Sequence, residues 1–276
     1  VSDVAARLLD VRLEREGEAI AQALLPRVAD SGDVRRHAEL AAEGRDDIVA
    51  VDADLASSTT LAKFGAVHPD RFFDCGVAEQ NMSGVACGVA LEGNIAVTYS
   101  IANFPTLRCL EQIRNDSCYH NANVKTVIIG GGLAYGALGV SHQATEDIAL
   151  MRTLPNMTIL ETGDATEVES VLDVAHSVEG PVYIRMLRGE VPRLFDRAQP
   201  MQLNRARELS AGRDITLFSS GICTEEAMRA TQVLRERGFS IQHMHISTLK
   251  PFRDPFVLEA AAHAKYGVIT LENHTV

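Results

Sequence analysis

From residue 47 onward the chain alternates short β-branched runs with stretches of helical period. The runs cover 47–52 (DIVAVD), 71–75 (RFFDC), 94–100 (NIAVTYS), 124–130 (VKTVIIG), 157–160 (MTIL) and 181–186 (PVYIRM), and helices are predicted over 78–91, 106–120, 143–153 and 164–177. This alternation predicts an α/β fold, a mainly parallel sheet sandwiched by helices. Residues 1–45, rich in Ala, Leu, Arg and Glu and broken at Pro26 and at ADSGD, read as two leading helices.

The stretch 189–209 has little periodicity and carries two prolines, so it reads as an irregular linker. The alternation then restarts with 214–220 (DITLFSS), a helix over 223–238, 240–246 (SIQHMHI), a helix over 254–264 and 266–272 (YGVITLE). These predict a second, smaller α/β domain, dividing the chain into 1–195 and 208–276. Three strands and two helices make a thin layer, so further chain or a partner is expected over its open edge.

At 276 residues, 46% hydrophobic and 23% charged, the chain has enough apolar sequence for real cores. A net charge of -11 repels polyanions, which argues against nucleic acid or an anionic membrane as partner, although a small anion can still meet a local arginine. The five cysteines form no C-x-x-C pair, so free thiols in a reducing compartment are expected. No apolar run approaches the ~20 residues of a spanning helix, and the first residues are polar; the expected location is the cytoplasm.

In the helix predicted over 78–91, Met82, Val85, Ala86, Val89 and Ala90 share one face, while Ser83, Gly84 and Gly88 permit close backbone approach. Glu79 stands in its first turn, where exposed amides and the helix dipole favour an acid without any further role. The glycine-rich stretch GGGLAYGALG (130–139) lacks the pattern of a nucleotide loop and reads as a flexible active-site loop.

Five blocks carry more: DADLASST (52–59), GVAEQNMSGVACGVAL (76–91), SIANFPTLRCLEQIRND (100–116), GVSHQATEDIALMRTLPNMTIL (139–160) and GPVYIRMLRGEVP (180–192). In order and spacing this set resembles the pyrimidine-binding half of transketolase-like, thiamine diphosphate-dependent enzymes. The stretch LKP (249–251) and the acid near LENH resemble, more weakly, the transketolase C-terminal domain.

The resemblance implies that Glu79 hydrogen-bonds a ring nitrogen of the cofactor's aminopyrimidine and drives it to the imino form. It implies that Phe104 stacks on that ring, with Ile101 as an aliphatic wall where the common pattern has an aromatic. It likewise implies that His142 contacts the donor sugar near the reacting carbon, where an imidazole can move a proton at neutral pH. Arg188 would grip the sugar's terminal anion with Ser58 beside it, and Asp54 would lie near the cofactor at the subunit contact. An arginine fork suits phosphate, sulfonate or carboxylate equally. Leu138 and Gly130 depart from the family, standing where an aspartate and a phosphate-contacting histidine are usual. That departure points to a non-standard donor or acceptor such as a sulfo-sugar, a branched sugar phosphate or a secondary-metabolite precursor.

The G-D-G…Asn pattern that holds the diphosphate through Mg²⁺ is missing, since no G-D-G occurs in the sequence. The resemblance therefore implies the C-terminal subunit of a split transketolase. A separate N-terminal subunit would hold Mg²⁺ and the diphosphate, in a dimer of heterodimers acting on a small sugar. Alternatives are the beta subunit of a 2-oxo acid dehydrogenase, a deoxyxylulose-phosphate-synthase-like enzyme, or a non-catalytic scaffold.

Overall fold

The strands Ile48–Asp52 (β2) and Val182–Met186 (β7) are buried along their whole length, and Val124–Ile129 (β5) at every position but the last. Such strands need cover on both faces, which parallel sheets with crossover helices supply. The computed structural model describes residues 27–28, 45–56, 61–186, 188–189 and 191–275. The helices expected before residue 45 fall outside these, apart from Arg27–Val28 (β1), which pairs antiparallel with Val191–Pro192 (β8).

The larger sheet has seven strands. Its order is Thr248–Lys250 (β12), Thr158–Glu161 (β6), β7, β5, Ile95–Ile101 (β4), β2 and Phe72–Asp74 (β3). All pair in parallel except β12, which runs antiparallel to β6. Period-two alternation sends Ile48 and Ala50 of β2 to one face and Val49 and Val51 to the other. On the second face, helix Glu79–Leu91 packs Met82, Ala86 and Ala90 against Val49, Val51, Ala96 and Val124. On the first, helix Ala165–His176 contributes Val168, Val171, Leu172 and Ala175 to a core with Tyr99, Val127 and Ile184.

The smaller sheet has the order Gly267–Leu271 (β13), Ile215–Ser219 (β10), Ile241–His245 (β11) and Arg207–Ser210 (β9), with only β9 antiparallel. Edge strand β13 is exposed at all five positions.

Several elements differ from the sequence reading. The helix expected over 106–120 is three pieces, Asn103–Leu107, Leu110–Gln112 and a π-helical segment Ile113–Cys118. It starts early because Pro105 is tolerated in a first turn, and it breaks at Cys109, whose φ of -112° and ψ of 10° leave the helical well. The expected helix 143–153 begins only at Asp147. The stretch 189–209 is less a linker than a fastened strap: Asp164, which caps helix Ala165–His176 through the Glu167 amide, also accepts the amides of Leu194 (3.0 Å) and Phe195 (2.8 Å).

A buried polar chain joins the two sheets. Glu167 accepts from the Gly163 amide at 2.9 Å and from Arg207 Nε at 3.0 Å, and it pairs with His245 Nε2 at 2.8 Å. His245 Nδ1 meets Thr224 at 2.7 Å, Thr224 meets Ser219 at 3.0 Å, and Ser219 meets His243 at 2.8 Å. Burial alone would push the Glu167 carboxyl up; the attraction of His245 and the hydrogen bonds outweigh it and bring the carboxyl from 4.5 down to about 2. Burial also takes His243 down to about 4.

A depressed carboxyl contributes stability that is present above its unfolded value and lost as the pH falls through the folded one. The contribution of Glu167 should therefore fade from about pH 4.5 toward about pH 2. Urea unfolding of Glu167→Gln should show a loss of about 3–5 kcal/mol at pH 7, the usual result of orphaning a buried partner. The variant's midpoint should also depend less on pH over that acid range.

Candidate active site

The predicted site residues lie just beyond the carboxyl ends of the parallel strands, where open α/β sheets bind ligands. Asp54 follows β2, Glu79 follows β3, Ile101 ends β4 with Phe104 three residues on, His142 follows β5 and Arg188 follows β7. The chain leaves β2 toward β3 on one side and returns to β4 on the other, so the sheet's order reverses between β2 and β4. A crevice opens at such a reversal.

Glu79 is the first residue of its helix, and it is 5% exposed. Its N-cap, Ala78, offers no hydrogen-bonding side chain, so the Glu79 carboxylate is the acidic group in that first turn. Arg108 Nη1 approaches both oxygens, at 3.0 Å and 2.9 Å. The arginine side chain is 48% exposed and lies over the acid from the solvent side. The same guanidinium covers the half-buried Phe104, with Cζ 4.4 Å from the ring centre. Arg108 is absent from the sequence reading, although it sits four residues after Phe104, the spacing that puts side chains together on one helical face.

From Phe104 the contacts continue. Its ring meets His142 edge-on at 5.2 Å between centres, and His142 lies 5.9 Å from Tyr135. Arg188 Cζ stands 4.3 Å over Tyr135. His142 Nδ1 is engaged by the Ser141 hydroxyl at 3.0 Å, and Asn103 donates to the Ser141 carbonyl at 2.8 Å. Nε2 of His142 has no hydrogen-bond partner among the described residues. Glu79, Phe104, His142 and Arg188 thus form one connected cluster through two residues absent from the sequence reading, Arg108 and Tyr135. The signal for Tyr135 is an aromatic residue set among glycines.

The other expected residues stand nearer the rim. Ile101, half-buried, pairs with Ile129 across β4 and β5. Asp54 is exposed with φ of 59°, a conformation Asp tolerates, and its amide bonds Asp74 Oδ1 at 3.0 Å, as does that of Gly76 at 2.9 Å. The turn bearing Asp54 is thereby tied to the turn before Glu79. Asp52, fully buried below, has its carboxyl pushed up by burial, against a hydrogen bond from the Leu55 amide. Ser58 lies outside the described residues.

The glycine loop explains one departure. Gly130 has φ of 72°, and a Cβ there would come within 2.2 Å of the Tyr135 ring. Tyr135 fills the space that a larger residue at 130 would need. Leu138 is 57% exposed, on a rim with Leu133 and Val140.

The fold and cluster define a helix-covered α/β protein with an acid, an aromatic ring and an imidazole at the carboxyl edge of its sheet. Family models match as "Transketolase, pyrimidine binding domain" over residues 35–193 and "Transketolase, C-terminal domain" over 204–276. The chain belongs to the transketolase family and spans its pyrimidine-binding and C-terminal domains. It is 35% identical over 235 residues to the 6-deoxy-6-sulfo-D-fructose transketolase subunit of a Clostridium species, covering 85% of this chain and 73% of that one. Identity is also 35% over 238 residues with a subunit of the apulose-4-phosphate transketolase of Phocaeicola vulgatus, covering 86% and 76%. The solved structure titled "Split gene transketolase, inactive beta4 tetramer" superposes with a TM-score of 0.79 at 37% identity, over 88% of this chain and 79% of that one.

Membership implies thiamine diphosphate with a divalent metal. The residues present fit its pyrimidine end: a carboxylate 5% exposed at a helix start, the half-buried Phe104 and the aliphatic end of β4. Among the described residues no group of three or more His, Cys, Asp or Glu could hold a metal ion, and no helix is long and apolar enough to cross a membrane.

Gly130→Ala should force Tyr135 from its seat. The overpacking and the positive φ together should lower stability by about 1–3 kcal/mol in urea unfolding. Gly136→Ala, which meets nothing within 4 Å, is the control and should change far less.

Proposed function

We propose that this chain, joined to an N-terminal transketolase subunit, moves a two-carbon ketol unit from an anionic ketose to an aldehyde. The observation that carries the reading is the single cluster in which a buried carboxylate, an aromatic ring, an imidazole and an arginine follow successive strands at the crevice. A partner of the kind that carries G-D-G would hold the diphosphate and Mg²⁺, in a dimer of heterodimers. The bound cofactor supplies the carbanion-stabilising chemistry.

What this chain contributes is orientation and proton handling. Glu79 would hydrogen-bond a ring nitrogen of the cofactor and handle the proton there, and Phe104 with Ile101 would hold the ring by apolar contact. Arg108 occupies both Glu79 oxygens and covers Phe104, so it would have to move aside for a ring to reach Glu79; its half-exposed side chain borders solvent on that side. His142, held through Nδ1 by Ser141, presents Nε2 to the donor's ketone oxygen and moves a proton there. Arg188, with Ser58, anchors the donor's terminal anion, and Asp54 lies at the subunit contact.

The donor is a sugar with a terminal sulfonate or phosphate whose mid-chain differs from that of common ketose phosphates. Tyr135 packed on Gly130 and the apolar Leu138 replace polar groups that would otherwise read that region. The two named relatives, one for a sulfo-sugar and one for a branched sugar phosphate, support such a range.

The test mixes both subunits with thiamine diphosphate, Mg²⁺ and a panel of anionic ketoses. Glu79→Gln should lower kcat by about 10²–10⁴, the range for a lost proton-transfer group. Near wild-type turnover in that variant would point instead to a scaffold. Arg188→Ala should raise KM for anionic donors by about 10- to 100-fold, as expected for losing a charged hydrogen bond, while leaving uncharged ketoses almost unaffected.

A further inference from the structure

The segment following β13 reaches across to the larger domain and grips the loop that carries Tyr135 and His142. Asn273 uses both ends of its amide: Nδ2 donates to the Gly131 carbonyl at 3.2 Å, and Oδ1 accepts the Leu133 amide at 3.3 Å. Its backbone carbonyl accepts Arg185 Nη2 at 2.9 Å. Thr275 donates twice to the Thr145 carbonyl, from its amide at 2.7 Å and from its hydroxyl at 2.8 Å, and the Ala149 amide donates to His274 Nε2 at 3.2 Å.

Both ends of the loop are closed at the same place. Gly132 and Ala144 exchange two backbone hydrogen bonds at 2.7 Å and 3.0 Å, and Arg185 Nη2 also reaches the Ala144 carbonyl at 3.2 Å. The approach is so close that a Cβ on Gly132 would lie 2.2 Å from the Asn273 amide, and one on Gly131 2.2 Å from Arg185 Nε. His142 is two residues from Ala144, and Tyr135 three from Gly132. Apart from the buried Tyr135, the loop's crown has little packing of its own: Leu133, Leu138 and Val140 are exposed. A segment with few buried contacts opens cheaply unless its base is held.

We propose that Asn273 is a positioning residue for His142: with Arg185 beneath it, it pins the base of the 131–145 loop, and so lets the smaller domain set the place of the imidazole without touching substrate. The clamp joins the two sheets at the mouth of the site, whereas the Glu167–His245 pair joins them elsewhere. Glu79 and Ile101 stand on elements the clamp does not hold, so the cofactor's pyrimidine seat should be largely indifferent to it.

The experiment compares the wild-type two-subunit complex with Asn273→Ala, Asn273→Asp and Thr275→Val. Hydrogen exchange of the 131–146 amides should quicken about tenfold or more in Asn273→Ala, the scale of two lost hydrogen bonds. Asn273→Asp keeps the acceptor for Leu133 but loses the donor to Gly131, and should fall between. Turnover should drop by a similar factor, while the Kd for thiamine diphosphate shifts by less than about twofold, since binding energy and proton transfer are separate readouts. Thr275→Val removes one exposed bond and keeps the fold, so it gives a second reading of the same exchange if Asn273→Ala is unstable. Unchanged exchange at 131–146, or an increase spread equally over both sheets, overturns the clamp. The inference rests on the reading of His142, and the two fail differently: full turnover in His142→Ala removes that reading, whereas the exchange data judge the clamp.

Discussion

A fully desolvated guanidinium holds the centre of this molecule. Arg185, at 3% exposure, sits on β7 and meets Asp147 at 2.8 Å, Glu161 at 2.5 Å and the carbonyls of Ala144 and Asn273. One charge thus fastens the start of helix Asp147–Thr153, the end of β6, the base of the glycine loop and the segment after β13. A buried charge is tolerable only when its donors are satisfied, and two carboxylates with two carbonyls meet that demand. Such an arrangement adds little net stability over an apolar core. What it gives is a defined relation between segments far apart in sequence, and the site is assembled from those segments.

A second constraint acts where the chemistry would occur. Glu79 is buried at a helix start with Arg108 on both oxygens, and the same arginine shields Phe104. By itself the chain satisfies its own carboxylate. A ring that binds there must replace an ion pair and a cation–π contact, so the affinity it shows is a difference between two sets of interactions. An exposed arginine loses less than a buried one when displaced, since water takes over its donors.

The sheet strands are legible because burial on both faces forces continuous β-branched runs, and those runs appear in the sequence at nearly their observed bounds. Helix Glu79–Leu91 is legible from one-face spacing. Strand β12 is not: Thr248, Leu249 and Lys250 are three residues whose strand character comes only from β6, nearly ninety positions earlier in the chain. The strap over 191–209 escapes notice for the same reason, since its order comes from distant partners such as Asp164, Ser170 and Asp254. Glu79, Phe104, His142 and Arg188 emerge through family-like blocks, whereas Arg108, Tyr135 and Asn273 act through contacts that no local pattern records. Periodicity reports which way a residue faces, and it is silent on what it meets.

The antiparallel strand β12 carries a consequence for how this protein can be divided. The family models part between residues 193 and 204, and a cut there would look like a clean separation of modules. It would instead strip the last strand from the larger sheet and leave β6 with unpaired amides and carbonyls along an open edge, the surface from which chains join edge to edge. The two halves share a sheet as well as a boundary, and their modularity in sequence exceeds their modularity in space.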